Sequence, residues 1–226
     1  MFGQKNILDE PIKLWHDERY GQHPLPMNKE NAKYLLITIK NVFEARGVTF
    51  LLSYGTLLGA IREHDFIGHD LDMDTMIWQK DFQKAWDAIP ELEKKGINLH
   101  CYCLPWIFTF EYKGETCDVD VLQEAIWPWN IRYCLTHLEY IQKSFFENTT
   151  TIDFLGETFT VPAEYEKVLA YHYGKSWRIP SSVHGRVESY VFFWRYAHRF
   201  IRRCIRYAKR HLFRAKNNVH NDILLT

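Results

Sequence analysis

FLLSYGTLLGAIREHDFIGHDLDMDTMI, residues 50–77, decides how the chain is read. An apolar run ends in Ser53-Tyr54-Gly55-Thr56. A short connection follows, and then a strand-like stretch from Leu71 to Trp78 brings Asp70, Asp72 and Asp74 at every second position. Side chains alternate faces along a strand, so these three carboxylates are expected on one face, with Leu71, Met73, Thr75 and Ile77 on the other. Like charges crowded on one face oppose folding unless a cation sits among them. Hard divalent ions take one or two protein carboxylates plus substrate phosphates. The stretch therefore predicts a metal-and-phosphate site carried on a strand. A solvated strand edge is the plain alternative for a lone Asp-x-Asp. It loses ground because the intervening residues are large and apolar, and because Asp118-Val119-Asp120 repeats the arrangement downstream. Two strands with facing carboxylates suit a two-metal cage for a displaced phosphoryl group.

Outward from this stretch, the spacing predicts an alternating α/β order. Asn28 can cap a helix through about Arg46 with Ala32, Leu35, Leu36, Ile39, Val42 and Phe43 as its apolar stripe, and Gly47 stands at the stop position. Val48–Ser53 reads as a strand and Thr56–Arg62 as a helical turn. Residues 79–95 read as helical, interrupted near Pro90. Strands are expected at 97–104, 107–112 and 116–122, with Lys113-Gly114 as the turn between the last two. Segment 124–148 is ambiguous. Residues 151–161 read as a hairpin, and Pro162 opens a helix that ends at Gly174. Glu188–Lys216 reads as a basic amphipathic helix.

Three regions follow: an irregular arm over 1–27, a catalytic domain over 28–187, and a basic helix and tail over 188–226. A chain of 226 residues with 46% hydrophobic content supports a substantial core and excludes a disordered protein. Five cysteines, an odd number, point to reduced thiols. His100, Cys101, Cys103 and Cys117 read as packed residues in preference to a zinc cluster. No apolar run approaches a membrane span. The net charge of zero hides an asymmetry: residues 189–226 hold nine basic residues and one acidic, against nineteen and twenty-seven elsewhere. The basic helix can pack on the body, lie on an anionic membrane surface, or bind nucleic acid. The acidic body argues against the last.

Gly55 at a strand-to-helix turn permits close backbone approach, and amides at a helix N-terminus favour phosphate. Arg62 can fork a phosphate, or else pair with Glu63 or Asp65. His69 and Trp177 are candidate substrate contacts, with a loop residue and a core residue as the respective alternatives.

These residues carry a resemblance. Tyr54-Gly55-Thr56-Leu57-Leu58-Gly59-Ala60-Ile61-Arg62, then Phe66-Ile67, then Asp70-x-Asp72-x-Asp74, resembles the LicD family, which includes bacterial phosphocholine transferases and fukutin-related proteins. A second block, Gly156, Val161-Pro162, Tyr165, Leu169 and Tyr173-Gly174-x-x-Trp177, resembles the family's C-terminal part. The chain departs from the pattern at Asp65, usually Gly, and at Gly68-His69, usually Pro-Trp. Both departures lie in the loop before the carboxylates.

The resemblance implies a nucleotidyltransferase-like mixed β-sheet flanked by helices. It implies transfer of a phospho-substituent, such as phosphocholine or ribitol phosphate, from a CDP-linked donor to a hydroxyl of a glycan or lipid-linked glycan. Asp72 and Asp74 would hold Mg²⁺ (or Mn²⁺). Asp70 and Asp118 are further candidate ligands, and Asp120, favoured over Asp118 by its apolar context, would complete the second site and take the acceptor's proton. Tyr54, Gly55, Thr56 and Arg62 would steady the diphosphate. The enzyme would be cytoplasmic, or peripheral on the inner face of a membrane. The alternatives are a nucleotidyltransferase that releases pyrophosphate and an inactive membrane-associated scaffold.

Overall fold

A computed structural model describes residues 26–127, 131–136 and 140–180. The chain divides into two units, Met1–Ile179 and Pro180–Thr226, and the fold below is that of the first. The basic helix expected over 188–216, and all but the last two residues of the 1–27 arm, lie outside the described residues.

Helix α1 spans Lys29–Ala45, with the Asn28 side chain accepting from the Asn31 amide at 3.1 Å as its cap. Its apolar stripe is buried as its spacing requires: Ala32, Leu35, Leu36, Ile39 and Phe43 are all sealed from solvent. Gly47, with φ 68°, closes it. Strand β1 (Phe50–Leu52) then leads into α2 (Tyr54–Arg62), and β2 runs over Met73–Trp78. The carboxylate strand is thus shorter than the sequence suggests. Asp70 and Asp72 precede it and only Asp74 sits in the ladder, because the chain is still turning at 68–69, becomes strand only at Met73 and meets its first partner in β1 only at Thr75.

After β2 the expected interrupted helix is a 3-10 turn (Gln79–Asp81) followed by two short helices, α3 (Phe82–Trp86) and α4 (Ile89–Glu93). Pro90 stands in the first turn of α4, where its missing N–H costs nothing; the interruption falls before it. Strands β3 (Asn98–Cys103), β4 (Ile107–Tyr112) and β5 (Glu115–Trp127) form a meander. Strand β5 is longer than expected because its second half leaves β2 and β4 to pair with β6 (Ile131–Leu135), which pairs in turn with β7 (Tyr140–Gln142). The ambiguous 124–148 segment is largely this annex. Strands β8 (Thr149–Phe154) and β9 (Glu157–Pro162) form the expected hairpin. Pro162 ends β9, and α5 begins later, at Tyr165–Tyr173.

The main sheet orders as β3-β4-β5-β2-β1-β9-β8, mixed in direction: β2 with β5 and β1 with β9 are parallel, the other pairs antiparallel. Helix α1 covers one face, and the Phe43 ring meets Phe50, Phe108 and Phe110 with centroids 5.8, 6.4 and 6.1 Å away. The rings of Phe82 and Trp86 on α3 pack on Phe108 from the same side. A mixed sheet flanked by helices is the architecture the sequence predicts.

Candidate active site

The parallel register of β2 and β5 sets the site. Asp74 stands beside Asp118, Met76 beside Asp120 and Trp78 beside Leu122. Alternation puts these six side chains on the face opposite α1. Ser53, whose amide bonds the Asp74 carbonyl at 3.1 Å, and Leu51, opposite Met76, extend the first two rungs onto the β1 side.

On the first rung the turn into α2 and the acids lock together. The Gly55 amide donates to Asp74 Oδ2 at 3.1 Å, and the Asp74 amide donates to Thr56 Oγ1 at 2.8 Å. Asp74 thereby stands at the positive end of α2. Gly55 is required for space: a Cβ there would lie 2.7 Å from Asp70 Oδ2 and 3.3 Å from Asp74 Oδ2. Two carboxylate oxygens therefore converge on a point that only a bare backbone leaves open. Burial pushes the Asp74 carboxyl well above the ordinary carboxylate range. The charges of Asp72, Asp118 and Asp120 push it further, and the Gly55 amide pulls it back. Asp118 and Asp120 are themselves 8% and 2% exposed. Asp118 Oδ1 accepts from Thr109 Oγ1 at 2.6 Å.

Five acids, Asp70, Asp72, Asp74, Asp118 and Asp120, are thus gathered on or beside one sheet face at the start of α2. Among the described residues, no three His, Cys, Asp or Glu side chains stand as a ready chelate. The donor set fits a hard divalent ion nevertheless: every donor is a carboxylate oxygen, and two of them face the cradle at Gly55.

Tyr54, the first residue of α2, is held at φ 39°, in the left-handed region that side chains rarely adopt. Its hydroxyl lies 3.1 Å from Thr136 Oγ1 and its ring stacks on His172 of α5 at 4.6 Å. The Ser53 hydroxyl is buried and makes no hydrogen bond among the described residues.

Other candidates stand elsewhere. Arg62 ends α2, the end remote from Gly55; its guanidinium bonds Glu63 Oε1 at 2.8 Å and the Trp177 carbonyl at 3.3 Å. That is the pairing reading, not the phosphate fork. Trp177 is 4% exposed and belongs to the core, with the Arg178 guanidinium over its ring at 4.2 Å. His69 is exposed in the turn before Asp70. Asp65 bonds Lys29 of α1 and the Phe66 amide, which hold its carboxyl below the usual range. Cys103, Cys117 and Cys134 are free thiols. Burial raises the Cys117 thiol and pushes Cys134 up to about 12. Sequence reasoning missed Thr109 and Thr136. A hydroxyl set between Phe108 and Phe110 in the apolar first part of its strand is the signal that marks Thr109; nothing local marks Thr136.

A mixed sheet with Asp74 at a glycine-led helix start, Asp70 and Asp72 just before its strand, and Asp118 and Asp120 on the neighbouring parallel strand defines a nucleotidyltransferase-type transferase domain. The family model described as "LicD/FKTN/FKRP, nucleotidyltransferase domain" matches residues 47–164. The chain belongs to the LicD family. Solved structures that resemble it include the lincosamide antibiotic adenylyltransferase LnuA bound to lincomycin, at 16% identity and TM-score 0.45 over 63% of this chain and 86% of that one. ANT(2")-Ia in complex with adenylyl-2"-tobramycin resembles it at 16% identity and TM-score 0.43, over 65% and 77%. The solution structure of ANT(2'')-Ia does so at 15% and 0.48, over 81% and 99%. No curated protein matches the chain. Among the described residues no helix is long and apolar enough to cross a membrane.

Proposed function

We infer that the protein transfers a phospho-substituent, such as phosphocholine or ribitol phosphate, from a CDP-activated donor to a hydroxyl of a cell-surface glycan, with Mg²⁺ (or Mn²⁺) as cofactor. The observation that carries the reading is the cluster itself: Asp74, buried against Asp72, Asp118 and Asp120, beside a Gly55 cradle that a Cβ would fill. So many acids in one low-dielectric place cost stability, which a binding role for a cation and phosphates explains.

Asp72 and Asp74, with Asp70 beside them, would hold the ion, and Asp118 and Asp120 would hold a second. Bound there, the ions would neutralise charge on the donor's diphosphate and on the leaving group. The chain's own part is positioning and proton transfer. The amides at the start of α2 other than Gly55, which already donates to Asp74, and the unbonded Ser53 hydroxyl would orient the phosphates. Asp120 would accept the proton as the acceptor oxygen bonds to phosphorus and the bond to CMP breaks in line. Arg62 has no part in this reading, since it stands at the far end of α2. The basic helix expected over 188–216 would bring the enzyme to an anionic surface carrying lipid-linked acceptor; its deletion should abolish salt-sensitive sedimentation with anionic liposomes.

The test is a panel of CDP-choline, CDP-ribitol and CDP-glycerol with Mg²⁺ and hydroxyl acceptors. The expected result is thermal stabilisation by the donor and release of CMP. Pyrophosphate from a nucleoside triphosphate would establish the nucleotidyl-transfer alternative. Neither stabilisation nor turnover would leave the scaffold reading.

A further inference from the structure

The open face of the sheet does not end at the acids. Beyond the rung of Asp120 comes the rung of Trp78 and Leu122, and there a cavity of about 650 Å³ opens, within the size range of small-ligand sites. Thr49, next to β1, Phe146 and Lys143 also line it. Three rungs thus run in order down one face: the start of α2 with Asp74 and Asp118, then Asp120, then the cavity. Each step is two strand residues, about 6.6 Å.

Resting on the transferase reading above, we propose that this cavity is the acceptor subsite and takes a neutral sugar ring. Order is the first argument. Donor phosphates belong at the amides of α2, the proton acceptor lies one rung further, and a hydroxyl presented to it must come from beyond. Charge is the second. The lining carries Lys80 and Lys143 against Glu124 and Glu147, and Lys143 Nζ is already bonded to Glu124 at 2.7 Å. A wall with no net charge does not suit a diphosphate and does suit a polyhydroxyl compound, which needs donors and acceptors of both kinds. Shape is the third. Trp78 is only half-buried although it ends a central strand, and Phe146 meets it edge-on at 6.4 Å. The negative face of such a ring attracts the weakly positive C–H groups of a sugar.

The experiment is saturation-transfer NMR on the full chain with methyl glycosides of glucose, galactose, N-acetylglucosamine and N-acetylgalactosamine, with CDP binding followed separately by thermal shift with Mg²⁺. At least one glycoside should receive saturation. Trp78→Leu should cut it at least fivefold, Trp78→Phe should retain most of it, and CDP stabilisation should be unchanged in both. Thr149→Arg, at an exposed lining position that leaves the core alone, should block the glycoside as well, so the test survives should Trp78→Leu fail to fold. Saturation absent from every glycoside, or unaltered in Trp78→Leu and Thr149→Arg, would overturn the subsite. So would cytosine protons that depend on Trp78, which would give the cavity to the nucleotide. Failure of CDP to bind while glycosides still do would strike the donor reading and leave the sugar site standing.

Discussion

On one face of β2 and β5 stand Met73, Thr75, Ile77, Cys117, Val119 and Val121; on the other stand Asp74, Met76, Trp78, Asp118, Asp120 and Leu122. The same two strands supply both sets in alternation. The first set is sealed under α1, with every member at 0% exposure. Within the second, burial is imposed on carboxylates that would gain by being solvated. One face therefore drives folding, and the other is held in place by it at a cost in free energy. A substitution of similar size should act on different observables according to the face it enters.

The largest effect is expected from Asp74→Asn. It should lower transfer by on the order of 10³-fold, the scale of losing one preorganised electrostatic element, while circular dichroism stays native. Retained turnover would dissolve the functional half of the contrast. Next comes Phe108→Ala on the packed face, expected to cost about 3–5 kcal/mol in a urea titration, with activity per folded molecule little changed. Gly55→Ala should fall between the faces. Its Cβ displaces the Asp70 carboxylate, so turnover should drop by about 10²-fold, the scale of a 1 Å misplacement, and stability should move little.

A smaller effect sharpens the electrostatic side. Burial and its acidic neighbours raise the Asp74 carboxyl, so folding favours its protonated form. That contribution is complete below the ordinary carboxylate value near 4 and is lost as pH rises through the raised one. The metal-free protein should thus lose melting temperature from Asp74 as pH climbs from acid toward neutral. Asp74→Asn should remove that part of the slope, and Mg²⁺ should stabilise the wild type more at neutral than at acid pH. A slope unchanged in Asp74→Asn would show that the carboxyl is not strained by its setting. The smallest effect is expected from Arg62→Ala, which loses one ion pair and one carbonyl contact, about 1 kcal/mol or less, with turnover near wild type. A loss of turnover comparable with that of Asp74→Asn would return Arg62 to the phosphates.

Much of this contrast is legible before any coordinates. The stripe of α1, the turn at Ser53-Tyr54-Gly55-Thr56 and the alternation in Asp118-Val119-Asp120 are local patterns, and local periodicity survives folding. What the sequence leaves closed is non-local. The neighbours β5-β2-β1-β9 are far apart along the chain, so nothing within a window shows that Asp74 and Asp118 share a rung. Every-second spacing at Asp70, Asp72 and Asp74 suggests one continuous strand, yet pairing with β5 begins only at Met73 and pairing with β1 only at Thr75. Arg62 looks close to Gly55 on the page; a helix of nine residues sets them about 10 Å apart. The length of β5 depends on β6, a partner whose aromatic-rich segment has no clear period of its own.

Tyr54 carries a practical corollary. Its backbone is kept in an uncomfortable conformation by props that arrive from Thr136 and from His172 of α5. Helix α5 starts at Tyr165, one position past the stretch matched by the family model. A fragment trimmed to that stretch would contain all five acids and Thr136 yet lack His172, the ring stacked on Tyr54. Anyone excising this domain for crystallography or assay should keep Tyr165–Tyr173 attached.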